Sequence, residues 1–85
     1  MDKWKITSVF DKSGAVKEVP QKRLDRTYVV NSLQIGHPAV LMAADGAMVS
    51  SFVESFSESE DTLFIGTENT RYYFEKVKEE SSWNS

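Results

Sequence analysis

Asp45-Gly46, set between the apolar runs 39–44 and 47–53, constrains this chain more than any other feature. An Asp-Gly pair in such a place is a preferred two-residue hairpin loop, because both positions of a type I′ turn need positive φ. That turn predicts a register with Ala44 opposite Ala47, Ala43 opposite Met48, Met42 opposite Val49 and Leu41 opposite Ser50. One face then collects Ala39, Leu41, Ala43, Met48 and Phe52, and the other Val40, Met42, Val49 and Val53. Both faces are apolar, the pattern of strands covered on two sides in the middle of a fold.

A helix competes for the same residues. Met48, Val49, Phe52, Val53 and Phe56 recur at helical spacing, and Asp45 is a candidate N-cap. Gly46 in the first turn and the Ser50-Ser51 pair oppose it, so residues 47–55 are read as a strand.

The rest of the chain reads as further short strands. Over residues 4–10, Trp4, Ile6, Ser8 and Phe10 alternate with Lys5, Thr7 and Val9, the period of a half-buried strand. Asp11-Lys12-Ser13-Gly14 supplies a turn with Gly14 free to take positive φ. Residues 15–25 are polar, basic and interrupted by Pro20, which suits a short edge strand and an irregular connection. Thr27, Tyr28, Val29 and Val30 are dense in β-formers. Residues 62–67 and 71–77 form a last pair, joined around Glu68-Asn69, with Asn69 best able to turn left-handed.

The expectation is therefore an all-β fold, a small antiparallel barrel or sandwich. Its six short strands lie near 4–10, 27–34, 39–44, 47–55, 62–67 and 71–77, with no helix beyond about two turns. Its predicted core holds Ile6, Val29, Leu41, Val49, Phe52, Ile65 and Phe74. At 85 residues the chain makes one domain, expected over 1–77, with 78–85 as a frayed tail. A composition of 40% hydrophobic and 12% aromatic residues places it well away from disordered chains.

Several chemistries are excluded at this level. Without cysteine there is no disulfide, thiolate metal site or thiol nucleophile. The single histidine, His37, rules out two-histidine metal sites, and it sits in a Gly36-His37-Pro38 turn. No Gly-x-Ser-x-Gly elbow occurs, and the scattered glycines make no phosphate-cradling loop. Glu58, Glu60 and Asp61 lie among serines and a threonine, an exposed loop without the cleft that separates carboxylate pKa values. We expect no catalytic site, no cofactor and no metal. The charged start Met1-Asp2-Lys3-Trp4-Lys5 is not followed by an apolar run, and the run 38–44 is too short to span a bilayer; a cytoplasmic protein off the membrane is expected.

The formal net charge of −3 argues against a general phosphate-backbone binder. It is unevenly spread: residues 1–38 hold seven basic and four acidic side chains, residues 39–85 three basic and nine acidic. The basic concentration Lys17, Lys22, Arg23 and Arg26 marks residues 15–25 as the edge where another protein, or a second copy, would dock. Trp4, Tyr28, Tyr72, Tyr73 and Phe74 all fall on predicted strands. Core filling accounts for them best; stacking of nucleic acid or another ligand on a barrel face is the alternative.

Gly36-His37-Pro38, Val49-Ser50-Ser51, Thr67-Glu68-Asn69-Thr70 and Tyr73-Phe74-Glu75 give the C-terminal half a resemblance to small uncharacterised bacterial all-β proteins. The resemblance implies a Gly-x-Pro turn, a Gly-led hairpin, a Thr-x-Asn-Thr turn and a closing aromatic strand. It favours strand over helix for residues 47–56 and implies no activity. The function expected is a non-enzymatic accessory or protein-interaction module.

Overall fold

The computed structural model describes residues 2–78. Apart from Lys78, the tail expected at 78–85 lies outside them. Six strands and one short helix follow in the order β1 (Trp4–Asp11), α1 (Gln21–Asp25), β2 (Val29–Ser32), β3 (Pro38–Ala43), β4 (Gly46–Glu58), β5 (Thr62–Thr67) and β6 (Thr70–Lys76). The fold is all-β. Every neighbouring pair is antiparallel, in a single sheet ordered β1-β6-β5-β4-β3-β2. Residues 47–56 are strand, inside a β4 that runs for 13 residues, and α1 is only 5 residues long.

The sheet curls around one core. Trp4, Tyr28, Leu41, Val53, Leu63, Ile65 and Phe74 are almost wholly buried together, so residues from both halves of the sheet meet on its inner face. The two outermost strands approach at one place. Trp4 and Tyr28 exchange backbone N–H···O=C bonds, both 2.8 Å long, and among the described residues no further pairing closes the sheet. Residues 15–25 lie beside β1: the Lys17 N–H donates to the Val9 carbonyl at 2.9 Å, and Val19 and Leu24 pack on the core. That segment contributes a single bridge, Val16 to Phe10, rather than a strand.

The β3–β4 hairpin departs from its predicted register. Ala43 faces Gly46, Met42 faces Ala47 and Leu41 faces Met48, so the loop is Ala44-Asp45. A type I′ turn needs two positive φ values, but Gly46 alone supplies one here, at 154°, and no non-glycine residue described has positive φ. The same fact corrects the left-handed Asn69. The β5–β6 connection is held instead by Thr67, whose hydroxyl accepts the Thr70 N–H at 3.1 Å and donates to the Thr70 carbonyl at 3.0 Å. Gly14 does take positive φ, 94°.

Bulges account for further differences. A bulge inserts a residue into one strand and reverses which face later residues point to. Thr7 is the extra residue on β1, between Ile6 opposite Phe74 and Ser8 opposite Tyr73. Trp4 and Ile6 therefore point inward, and after Thr7 it is Val9 that is buried, rather than Ser8 and Phe10. On β4 an extra residue falls at Ser50-Ser51, between Val49 opposite Val40 and Phe52 opposite Pro38. Val53 then takes the inner position and Phe52 the outer.

Three of the seven predicted core positions fail, Phe52 because of the bulge, and Val29 and Val49 because no described residue covers the outer face on which they stand. Val49 is 63% exposed and Phe52 53% exposed, and Val29 is half-buried opposite Met42 on the outer face. Ile6, Leu41, Ile65 and Phe74 are buried as expected. The expected double cover of β3 fails as well: Ala39 and Leu41 are fully buried, but the alternate residue Met42 is 44% exposed.

Candidate interaction surface

The outer face of β2, β3 and β4 is built by pairing. Across the three strands Val29, Met42 and Ala47 form one row; Val40 and Val49, with Ser32 of β2 at their side, form the next, and Pro38 and Phe52 the third. Apart from Ser32 these side chains are apolar because alternate positions of β3 and β4 are apolar on both sides, while the inner alternates already fill the core. No ionisable residue stands in the rows. Among the exposed large hydrophobic residues, Met42, Val49 and Phe52 therefore lie together rather than singly.

Two adjoining grooves flank this face near the hairpin. One, of about 510 Å³, is lined by Lys3, Thr27, Val29, Val30, Met42 and Ala44 among others. The second, of about 560 Å³, shares Thr27, Ala43 and Ala44 and adds Lys22, Asp25, Arg26 and Asp45. Arg26 is anchored there: its guanidinium meets the Asp45 carboxylate at 3.0 Å through Nε and 3.3 Å through Nη2. The Tyr28 hydroxyl and then Asp45 hold that guanidinium in its charged form more firmly than usual. The pair ties the segment leading into β2 to the hairpin tip.

The four basic residues singled out from the sequence separate in space. Lys22 and Arg26 share the second groove, and Arg23 stands beside Lys22 on α1. Lys17 is elsewhere, its Nζ 3.0 Å from the Thr70 hydroxyl, at the end of β1 opposite Trp4. No single basic edge gathers all of them.

The other candidate features are quickly placed. His37 is exposed; its backbone carbonyl accepts the Val53 N–H at 3.0 Å. Glu58, Glu60 and Asp61 are exposed around the β4–β5 connection. Among the described residues no three His, Cys, Asp or Glu side chains come together as a metal cage, and no helix is long and apolar enough to cross a membrane. Of the aromatic residues, Trp4, Tyr28 and Phe74 are buried in the core, with Tyr28 edge-on to Phe74 at 6.4 Å. Tyr73 points outward with Phe10 and Phe64, at centroid distances of 5.7 and 5.0 Å.

The surface residues that sequence reasoning missed are Val49 and Phe52. Their signal was present as two-sided apolarity; it was assigned to cover from within the same chain. No protein-family model, no curated protein and no solved structure matches the chain.

Proposed function

We propose that this protein is a non-enzymatic interaction module that docks another protein on the outer face of β2–β3–β4. The observation that carries this reading is the apolar row structure with Met42, Val49 and Phe52 between 44 and 63% exposed. Their exposed area adds little to the isolated fold, and an exposed apolar patch invites association unless a partner covers it. Covering the exposed part of each would contribute on the order of 1 kcal/mol.

The test compares the parent with a Val49→Asp, Phe52→Asp double variant, both immobilised and offered native extract. A protein held by the parent and released by the variant, then shown to bind in purified form with at least tenfold lower affinity for the variant, supports the reading. Identical retained proteins on both columns overturn it.

A second reading places nucleic acid or another flat ligand against Tyr73, which is 41% exposed on the outer face of β1–β6–β5. Its support is weaker. The Tyr73 ring is already packed by Phe10 and Phe64, and the neighbouring Arg71 donates to the Lys12 carbonyl at 3.0 Å. Fluorescence titration with a single-stranded oligonucleotide checks it, since phosphate binding must weaken steeply with salt.

A further inference from the structure

We infer that residues 16–25 are a hinged strap that opens as a unit while the sheet stays folded, and so gates access to the outer edge of β1. Every residue from 12 to 25 is exposed except Val19 and Leu24, which are half-buried against the core. Among the described residues one backbone bond ties the strap to the sheet, from the Lys17 N–H to the Val9 carbonyl at 2.9 Å. Two side-chain bonds assist it. Lys17 Nζ donates to the Thr70 hydroxyl at 3.0 Å, and the Tyr28 hydroxyl donates to the Arg23 carbonyl at 3.4 Å. The Arg23 and Leu24 N–H groups turn back to the Pro20 carbonyl, so α1 closes its bonds on itself and buries no residue.

The fit beneath the strap is loose. A cleft of about 220 Å³ lies between Ser8, Val9 and Phe10 of β1 and Val16, Val19 and Leu24 of the strap. Domain interiors leave few voids larger than a water molecule, so this contact is not packed like the core. Both ends, by contrast, are anchored without the strap. At one, the Asp11 N–H donates to the Ala15 carbonyl at 2.8 Å, and the Asp11 carboxylate accepts from Ser13 and Ala15. At the other, Arg26 holds Asp45 and Tyr28 pairs with Trp4. The strap swings between these two points with the sheet undisturbed. Segments with few buried apolar contacts and exposed backbone bonds open at much lower free energy than a core. Opening bares the Val9 carbonyl and the β1 edge, which a covering loop otherwise keeps from pairing with another strand. This gate is independent of the outer face of β2–β3–β4.

Native-state hydrogen exchange in low urea tests the hinge. The Lys17 amide should exchange at least about 100-fold faster than the amides of β4 and β5, which are paired on both sides. Its rate should respond little to urea, because strap opening exposes little surface. The Trp4 and Tyr28 amides, bonded to each other at the second hinge, should exchange more slowly than Lys17. Ile65→Val weakens a contact that survives strap opening, so it should speed the β4 and β5 amides roughly 2- to 10-fold and leave Lys17 unchanged. Leu24→Ala weakens a contact that opening breaks, and should speed Lys17 several-fold. Access is read separately by thiol labelling, since the chain has no cysteine of its own. A Val9→Cys thiol should react with an aromatic disulfide reagent at least tenfold faster than an Ile65→Cys thiol. The inference is overturned if Ile65→Val speeds Lys17 as much as the sheet, or if Leu24→Ala leaves Lys17 unchanged. It is overturned equally if Tyr28 opens together with Lys17, or if both thiols label at one rate.

Discussion

The Ser50 hydroxyl accepts the buried Ala39 N–H at 2.9 Å and donates to the Ser51 carbonyl at 2.7 Å. It takes the place of a ladder carbonyl where the β4 bulge breaks the pairing with β3. Thr7 acts similarly on β1, its hydroxyl donating to the Tyr73 carbonyl at 3.1 Å beside that strand's bulge. Ser50→Ala strands a buried donor and should cost about 1–3 kcal/mol in urea unfolding. Ser51→Ala, whose carbonyl rather than side chain is used, should cost far less. Equal losses at both positions would remove the hydroxyl from this role.

Leu41 and Phe52 separate core from surface. Leu41 has no exposed area, so Leu41→Ala should cost about 2–5 kcal/mol. Phe52 is 53% exposed, and Phe52→Ala should cost less than about 1 kcal/mol. Denaturant midpoints of the two variants at concentrations below any self-association decide it.

That contrast shows how far the sequence could be read. Strand existence was legible because Thr27 to Val30 and Thr62 to Ile65 concentrate β-forming side chains, and because turn residues separate the runs. Inside and outside were legible only up to each bulge. An extra Thr7 or Ser50 looks like an ordinary polar strand residue, yet it turns everything after it to the opposite face. The hairpin failed for a related reason: Asp45 was assigned to backbone conformation, whereas its carboxylate binds Arg26, a contact set by the approach of residues distant in sequence. The apolar outer face was legible as apolarity on both sides of β3, but which side the chain itself would cover depends on the curl of the whole sheet. The basic residues were read as one edge, and only the topology sends Lys17 to Thr70 and Arg26 to the hairpin.

Gly66 sits where the Phe64 ring lies over the sheet. A Cβ added there would stand 3.0 Å from Phe64 Cζ and 3.0 Å from Ser55 Oγ. The ring is hemmed in by Tyr73, so Gly66→Ala should cost about 1–3 kcal/mol. In a Phe64→Ala background the added cost should shrink. A double-mutant cycle with no coupling would show that the ring moves aside freely.

Asp11 ends β1 by accepting from the Ser13 hydroxyl at 2.7 Å, the Ser13 N–H at 2.9 Å and the Ala15 N–H at 3.0 Å. The Ser13 hydroxyl first, and then the Ala15 amide, hold its carboxyl below the ordinary value of 3.8. A depressed carboxylate stabilises the fold fully above the unfolded value and loses that contribution as pH falls through the folded one. The melting-temperature gap between the parent and Asp11→Asn should therefore be present at neutral pH and narrow below about pH 4. A gap independent of pH would assign the effect to something other than the charge.

The pairing of β1 with β6 also sets a timetable. Trp4 faces Lys76, so β1 finds its ladder partner only after β2 to β5 have been made. Until then β1 leans on Tyr28 and on residues 15–25 beside it, and β5 waits with an open side. Ring closure over so many residues costs about 4 kcal/mol in chain entropy before any contact repays it. A nascent chain halted before β6 is thus held apart from its native sheet, and the domain completes itself in one late, slow step of the kind expected for non-local β topologies.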